Sequence, residues 1–389
     1  MAAGIFAFFA ALWIVLPAPC HFMWQVAVAA SEWSLWLAAL GLLGVGAGLL
    51  WRQRVRPGKA VWLAVMLGVA AVVLGLYPGA SVWRVAQTHD VVLSWRRYFV
   101  GAVSASRGPA PETVIYNRVG DQALALDIYQ PEAPITTARP AIIVIHGGGW
   151  ESGGKSDFPQ WDYWLTQQGY AVFDMQYRLA PQPNWQSATG DVKCAIGWVK
   201  DHAAEYGVDA RRLALLGRSA GGHLALLAGY TAGVAELPPG CPAEDTSVQA
   251  VIAFYAPVDM VWDYQNPANL RVLDGPGLIS RFVGGTPETN AEAYAGASPI
   301  AHVNPHTPAT LLLQGGRDQL VRTENMERLG QRLQVTQVGY RAVLLPYAQH
   351  GFDYNINGWG AQIAQPVIQQ FLQRYLAGNP QLGQSLRQN

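Results

Sequence analysis

A serine, an aspartate and a histidine each follow a short apolar segment in this chain of 389 residues. Ser219 lies in the motif G-R-S-A-G of residues 217–221, between the strand-like stretch 212–216 and the helix-like stretch 223–229. This arrangement predicts a nucleophile elbow, in which small neighbours allow a strained turn to form. The N-terminus of the following helix would favour the negative charge that develops during acyl transfer.

Two later segments carry the groups that would activate a serine hydroxyl. Asp318 follows the strand-like stretch 310–314 and two glycines, and His350 follows the stretch 340–345. A hydroxyl becomes a good nucleophile when an imidazole accepts its proton, and the imidazole needs a carboxylate to hold its tautomer. The chain order serine, acid, histidine is that of α/β hydrolases. Asp259 also follows a strand-like stretch and is the alternative acid, but the Gly-Gly-x-Asp arrangement favours Asp318.

A glycine-rich loop follows another apolar stretch. Residues 141–145 are continuously apolar, and the sequence H-G-G-G-W occupies 146–150. Successive glycines after a strand allow backbone N–H groups to converge on one point, as an oxyanion requires. His146 is interpreted as a structural residue of this loop, and His223, directly after the elbow, as a packing residue.

From about residue 112 to the C-terminus, the chain resembles α/β-hydrolase esterases, close to the hormone-sensitive-lipase-like and BD-FAE-like carboxylesterases. Beside the aspartate and histidine loops, the motifs that carry the resemblance are H-G-G-G-W, Y-R-L-A-P, G-R-S-A-G-G-H-L, F-V-G-G-T-P and A-S-P-I. The resemblance implies a serine carboxylesterase that uses the triad described above and forms an acyl-enzyme, with no cofactor and no metal. It also implies an oxyanion hole formed by the amides of Gly148, Gly149 and Ala220. Arg218 departs from the family pattern, in which many members carry another polar residue at this position.

Eight strand-like segments alternate with helical ones after residue 112. The candidate strands are 113–119, 124–129, 141–145, 171–177, 212–216, 249–255, 310–314 and 340–345. The first two, separated by Gly-Asp, predict a hairpin, and the others predict a mainly parallel sheet with helices on both faces. We therefore expect an α/β-hydrolase fold over 112–389, with a small cap at about 259–303. Its site would lie at the carboxyl ends of the strands.

The first 80 residues differ in composition from the rest of the chain. Residues 2–31, 33–51 and 60–80 are apolar and almost free of charge, and each run approaches or exceeds the length that crosses a bilayer. They predict an all-α transmembrane region over 1–80 with about three spans, and an interfacial segment and linker over 81–111. Two spans are the alternative, because two prolines interrupt the first run. A cleaved signal peptide is disfavoured, since no basic residue precedes that run.

Basic residues between the second and third runs predict the orientation. Arg52, Arg54, Arg56 and Lys59 would place that loop in the cytoplasm by the positive-inside rule. The catalytic domain of this integral membrane protein, in a bacterial inner membrane, would then be periplasmic or extracellular. The helices would either tether the domain or hold its cap at the bilayer, so that lipophilic esters enter from the membrane. The aromatic residues expected at headgroup depth are Trp83, Trp95 and Tyr98.

Composition excludes several other functions. Lys+Arg and Asp+Glu are equal at 26 each, no basic stripe suggests a nucleic acid, and no motif suggests a nucleotide. The three cysteines fit no metal site, and a disulfide between Cys194 and Cys241 stays open. A small-molecule ester and the lipid bilayer are the expected partners. An amidase of the kynurenine-formamidase-like type and an acyltransferase are alternatives with the same triad, and a catalytically silent binding module is disfavoured by the intact set of motifs.

Overall fold

The computed structural model describes residues 1–54, 58–101, 108–133, 137–180 and 183–376. Its centre is an eight-stranded sheet in the order β1-β2-β4-β3-β5-β6-β7-β8. The strands are β1 (Glu112–Val119), β2 (Gln122–Tyr129), β3 (Arg139–Ile145), β4 (Ala171–Met175), β5 (Val208–Arg218), β6 (Ala250–Phe254), β7 (Ala309–Gly315) and β8 (Tyr340–Leu345). β2 pairs antiparallel with both β1 and β4, and the other pairs are parallel. The predicted hairpin and mainly parallel sheet are confirmed.

Successive residues of the central strands enter two different apolar cores. In β3, Ile143 and Ile145 belong to one core, whereas Ile142 and Val144 belong to the other. Both faces are therefore buried, which explains why the central strands are continuous apolar runs rather than alternating ones. Helices α7 (Trp185–Asp201), α8 (Ala220–Tyr230) and α12 (Glu324–Val335) cover the first face; α6 (Pro159–Gln167) and α13 (Trp359–Leu376) cover the second.

Three short helices lie between β6 and β7, in the segment expected to form a cap. They are α9 (Met260–Gln265), α10 (Gly275–Val283) and α11 (Ala291–Gly296), followed by the 3₁₀ turn Pro299–His302. Asp259 and Asp274 accept hydrogen bonds from backbone N–H groups in the first turns of α9 and α10, so each helix begins at a side-chain cap.

The structure contains the disulfide whose formation the sequence left undecided. Cys194 in α7 and Cys241 form a disulfide, with their Cα atoms 5.4 Å apart. The bond joins α7 to the loop that precedes β6, and it closes a segment of the chain with a sequence separation of 47 residues.

The N-terminal region is helical, but its first helix is short. The helices are α1 (Ala2–Ala11), continued by a 3₁₀ turn (Leu12–Ile14), then α2 (His21–Glu32), α3 (Ser34–Arg54), α4 (Lys59–Thr88) and α5 (Trp95–Val100). α3 and α4 are long and apolar enough to cross a membrane, whereas Ala2–Ile14 is shorter. At 1.5 Å per residue it extends about 20 Å, less than a hydrocarbon core of about 30 Å. The described residues therefore contain two helices of spanning length rather than three, because the first apolar run is divided near its prolines.

The end of α4 and the segment after it pack on the α/β unit. Val82 and Val85 belong to the second core of that unit. Tyr98 does not lie at an exposed headgroup position as expected: it is fully buried and stacks on Trp359, with ring centroids 4.4 Å apart. Its hydroxyl accepts a hydrogen bond from the N–H of Leu35 at the start of α3. Burial raises the pKa of this phenol, since the phenolate would be desolvated.

Exposed apolar surface is concentrated in the same N-terminal region. Among the described residues, twenty of the twenty-six large apolar side chains that are exposed belong to the first 100 residues. Trp83 and Trp95, which the sequence predicts at headgroup depth, are 59% and 61% exposed. Arg56 and the side chains of Arg52 and Arg54 lie outside the described residues.

Candidate active site

Ser219 occupies a strained turn between β5 and α8. Its φ is +54°, a conformation that costs free energy for a residue with a side chain, and its N–H donates to Phe254 O at 2.9 Å. Close backbone contacts require that the residues beside Ser219 in this turn are small. A Cβ on Gly217 would lie 2.1 Å from the carbonyl oxygen of Gly221, and one on Gly221 would lie 2.2 Å from that of Ile145. This is the geometry predicted for a nucleophile elbow.

Asp318 and His350 are hydrogen-bonded to each other. His350 Nδ1 lies 2.7 Å from Asp318 Oδ2. The other carboxylate oxygen, Oδ1, accepts from the backbone N–H groups of Leu320 at 2.8 Å and Val321 at 2.9 Å. Gln314 Nε2 donates to Oδ2 at 3.1 Å. Four donors therefore hold a fully buried carboxylate in one orientation, which suits a group that must fix an imidazole.

His350 follows β8, but its ring reaches back toward β5. The ring lies 4.2 Å from the ring of Tyr255, centroid to centroid, and Tyr255 directly follows β6, the neighbour of β5. Within the described part of the chain, Ser219 Oγ and His350 Nε2 are not hydrogen-bonded. Catalytic hydrogen bonds of unliganded enzymes are often long and shorten when the substrate binds.

The glycine loop after β3 contains two residues in backbone conformations that favour glycine. Gly148 and Gly149 have φ values of +110° and +60°, and a Cβ on Gly148 would lie 2.0 Å from Ser152 O. In the described residues, neither glycine amide donates to a protein acceptor. Gly149, Ser219 and Ala220 line one cavity of about 60 Å³, whose other walls are mainly apolar. The predicted nucleophile and two of the three predicted oxyanion donors therefore border the same space.

The alternative acid, Asp259, is engaged elsewhere. Its Oδ1 accepts from the N–H of Trp262 at 3.1 Å, and its Oδ2 pairs with Arg328 of α12. These contacts fix the start of α9 and join the cap to α12. The imidazole of His350 binds Asp318 instead.

The two other histidines near the site have structural roles in the surrounding loops. His223 is fully buried; its Nε2 donates to Ala297 O at 2.7 Å, and its Nδ1 accepts from Trp150 Nε1 at 3.2 Å. Burial lowers the pKa of His223 to about 4, so the neutral ring joins the glycine loop to the cap segment. His146 stacks on Tyr177, and burial likewise lowers its pKa.

Sequence reasoning missed two groups that support the acid and the base. Gln314 is the last polar residue of β7 and holds Asp318, but a buried glutamine at a strand end carries no specific signal. Asp353, three residues after His350, accepts from Arg218 Nε at 2.5 Å and from the Tyr255 hydroxyl at 2.6 Å. The unusual arginine of the elbow therefore holds the histidine loop and lies away from the substrate space. The sequence signal that could have identified this contact is the negative charge of Asp353, opposite to that of Arg218, in the loop that carries His350.

A second, polar cleft of about 550 Å³ adjoins the first cavity. Ala268 and Arg322 line both spaces. The walls of the cleft come from the aspartate loop, from the cap and from Pro17 and Ala18, which lie in the connection between α1 and α2. The N-terminal region thus borders the candidate site.

Residues 126–333 match the BD-FAE family model. The chain belongs to the BD-FAE family. Its relatives include LipM of Mycobacterium tuberculosis, described as a probable carboxylic ester hydrolase, at 33% identity over 72% of this chain and 67% of LipM. Esterase LipC of the same organism is 34% identical over 65% of this chain and 62% of LipC.

Solved structures extend this BD-FAE assignment to the fold. Thermogutta terrifontis esterase 2 with bound propionate matches with a TM-score of 0.57 and 26% identity, over 70% of this chain and 97% of that esterase. The same esterase phosphonylated by sarin matches with a TM-score of 0.59 and 25% identity, over 71% and 99%. The predicted α/β-hydrolase esterase assignment is confirmed, and the chain is an enzyme of the ester-hydrolase class.

Proposed function

We propose that this protein hydrolyses carboxylic esters through Ser219, His350 and Asp318. The observation that carries the proposal is the hydrogen bond between His350 Nδ1 and the carboxylate of Asp318, whose side chain is fully buried. In the same sheet, β5 ends in the strained turn at Ser219. In this arrangement His350 Nε2 is the group free to exchange a proton with the serine hydroxyl.

The reaction follows from these positions. Ser219 Oγ attacks the ester carbonyl carbon while His350 Nε2 takes the hydroxyl proton, and the carbonyl oxygen becomes an oxyanion. The amides of Gly148, Gly149 and Ala220 donate to that oxyanion. His350 then gives the proton to the leaving alcohol, and an acyl-enzyme remains on Ser219. A water molecule, deprotonated by His350, attacks the acyl carbonyl. The bond between the acyl carbon and Ser219 Oγ then breaks, His350 returns the proton to Oγ, and the carboxylic acid is released.

Kinetics on the full chain in detergent test this mechanism. We expect turnover of p-nitrophenyl esters, and covalent labelling by a fluorophosphonate; the related T. terrifontis esterase 2 has been solved as a sarin adduct. Ser219→Ala should abolish labelling and lower kcat by several orders of magnitude while leaving the protein folded. Activity of Ser219→Ala within tenfold of the parent would contradict the assignment. Faster turnover of matched anilides than of esters would indicate an amidase.

We propose further that α3 and α4 anchor the enzyme in a membrane, with the α/β unit outside the cytoplasm. The start of α3 and the end of α4 pack on that unit, so Arg54 and Lys59 lie at the opposite ends of the two helices, about 30 Å away. A basic loop there fits the cytoplasmic side. The disulfide between Cys194 and Cys241 supports an oxidising compartment for the α/β unit.

Protease accessibility tests the orientation. Protease added to sealed spheroplasts should cut the α/β unit, whereas a cytoplasmic marker protein should stay intact until lysis. Protection of the α/β unit before lysis, with cleavage after it, would place the enzyme on the other side.

We propose lipophilic esters as the substrates. The cavity at Ser219 is bordered by Leu273, Leu278 and Ile279, and the neighbouring cleft is bordered by Pro17 and Ala18 of the apolar N-terminal region. A p-nitrophenyl series from acetate to palmitate should show kcat/KM rising with chain length. A maximum at acetate would contradict a lipophilic substrate and leave the ester chemistry intact.

A further inference from the structure

The connection between α1 and α2 contacts the loop that carries Asp318. The N–H of Ala18 donates to Gln319 Oε1 at 2.6 Å, and the carbonyl oxygen of Ala18 accepts from Asn269 Nδ2 of the cap at 2.9 Å. Arg317 donates to the carbonyl oxygen of Val15. We call residues 15–20 the N-terminal turn.

Gln319 is the centre of these contacts. Its Oε1 accepts from Ala18 N and also from Asn269 Nδ2 at 3.0 Å, and its Nε2 donates to Gln349 Oε1 at 3.0 Å. Gln319 directly follows Asp318, and Gln349 directly precedes His350. One side chain therefore connects the N-terminal turn and the cap to the loops of both the acid and the base.

The N-terminal turn is built to offer this contact in one conformation. Ala18 lies between Pro17 and Pro19, whose rings fix φ and which have no N–H. The amide of Ala18 is consequently the backbone donor that the segment 17–19 provides, and Ala18 itself is 1% exposed. Stiff, buried donors hold a partner with a smaller loss of entropy than mobile ones do.

We propose that the N-terminal turn positions the Asp318–His350 pair through Gln319, so that the anchoring region takes part in catalysis. This inference rests on the proposed ester hydrolysis. Asp318 and His350 come from separate loops, and an imidazole displaced by a few tenths of an ångström transfers the serine proton less efficiently. Gln319 and Ala18 touch no reacting atom and are positioning residues.

A double-mutant cycle on the full-length protein tests the coupling. Ala18→Pro removes the N–H that binds Gln319, and Gln319→Ala removes the acceptor. We expect each variant to lower kcat for p-nitrophenyl butyrate about tenfold, with KM within twofold. The double variant should match Gln319→Ala within twofold, because Gln319→Ala already removes the hydrogen bond that Ala18→Pro breaks. Effects that multiply, to about a hundredfold, would overturn the proposal, as would two unchanged kcat values.

The pH profile separates positioning from general destabilisation. A less well placed carboxylate stabilises the imidazolium less, so the acid limb of kcat/KM should move to lower pH in both single variants. Rates are divided by the fraction of active sites that a fluorophosphonate titrates, which removes any contribution from unfolded protein. An unmoved acid limb would reduce the turn to a structural role and overturn the proposal.

A second pair of variants decides the question if Ala18→Pro does not fold. Arg317→Met removes the contact with Val15 O and keeps the apolar stem, and Arg332→Met on the exposed face of α12 is the matched control. Arg317→Met should lower kcat at least threefold and shift the acid limb, whereas the control should do neither. Equal behaviour of the two variants would overturn the proposal. If the parent itself neither hydrolyses the ester nor is labelled at Ser219, the proposed function fails instead.

Discussion

Asp318→Asn changes one atom in a carboxylate whose four contacts are all donors. Oδ1 accepts from the backbone N–H groups of Leu320 and Val321, and Oδ2 accepts from Gln314 and His350. An asparagine must place an NH₂ group at one of these two positions. In either orientation the NH₂ group faces hydrogen-bond donors, because the groups that contact Oδ1 and Oδ2 are all donors.

The orientation that costs less is the one that damages the imidazole. An NH₂ group at the Oδ1 position would leave two buried backbone N–H groups unsatisfied, at about 1–3 kcal/mol each. At the Oδ2 position it faces His350 Nδ1, which must then accept a hydrogen bond and carry its proton on Nε2. In that tautomer the imidazole cannot take the proton of Ser219. We expect kcat to fall by about 10³–10⁴, equivalent to roughly 4–5.5 kcal/mol in the activation free energy.

The assay compares Asp318→Asn with Asp259→Asn on one p-nitrophenyl ester. Asparagine also caps helices, so Asp259→Asn loses mainly the ion pair with the partly exposed Arg328. It should lower the free energy of unfolding by at most about 1 kcal/mol and leave kcat within twofold. A kcat of Asp318→Asn within tenfold of the parent would refute the reasoning. A larger loss in Asp259→Asn would reassign the acid.

Three further predictions concern the glycine loop, a buried histidine and the disulfide. Gly148→Ala should lower kcat at least a hundredfold in steady-state assays, because its Cβ would lie 2.0 Å from Ser152 O and the loop must move; an unchanged kcat would contradict the oxyanion role. Burial lowers the pKa of His223 from about 6.5 to about 4, so the unfolded chain binds this proton first, and stability falls by up to roughly 3 kcal/mol as pH falls from 6.5 to 4. Urea unfolding at pH 7 and 5 should show that His223→Gln removes this part of the dependence, and equal slopes in parent and variant would refute it. Cys194→Ala with Cys241→Ala should cost about 4 kcal/mol in the free energy of unfolding, for a separation of 47 residues; no change in the urea midpoint would contradict this.

The candidate triad and oxyanion loop could be predicted from the sequence because their signals are local. Ser219, Asp318 and His350 each follow an apolar stretch at the end of a strand, and a glycine-rich loop follows another. In a mainly parallel sheet the carboxyl ends of the strands meet at one edge, so strand order along the chain is enough to predict that these loops converge. The eight strands follow from the same local pattern of apolar residues.

The contacts that hold those residues depended on the tertiary structure. The sequence predicted Tyr98 at headgroup depth, whereas the docking of α5 buries it against Trp359. The first apolar run was long enough for a span, yet it is divided into two helices. The pattern of apolar residues predicts which residues are buried, but it does not predict which surface they pack against.

The link between the N-terminal turn and the aspartate loop is the clearest case. Ala18 and Gln319 are 301 residues apart in sequence, and neither has a composition or spacing that points to the other. A single hydrogen bond contributes little to the free energy of folding and leaves no periodic pattern in the sequence. The sequence therefore does not predict it. The sequence determined which groups could perform acyl transfer, whereas packing decided that the N-terminal turn contacts the aspartate loop. Long-range polar contacts form only where folding brings donor and acceptor within about 3 Å.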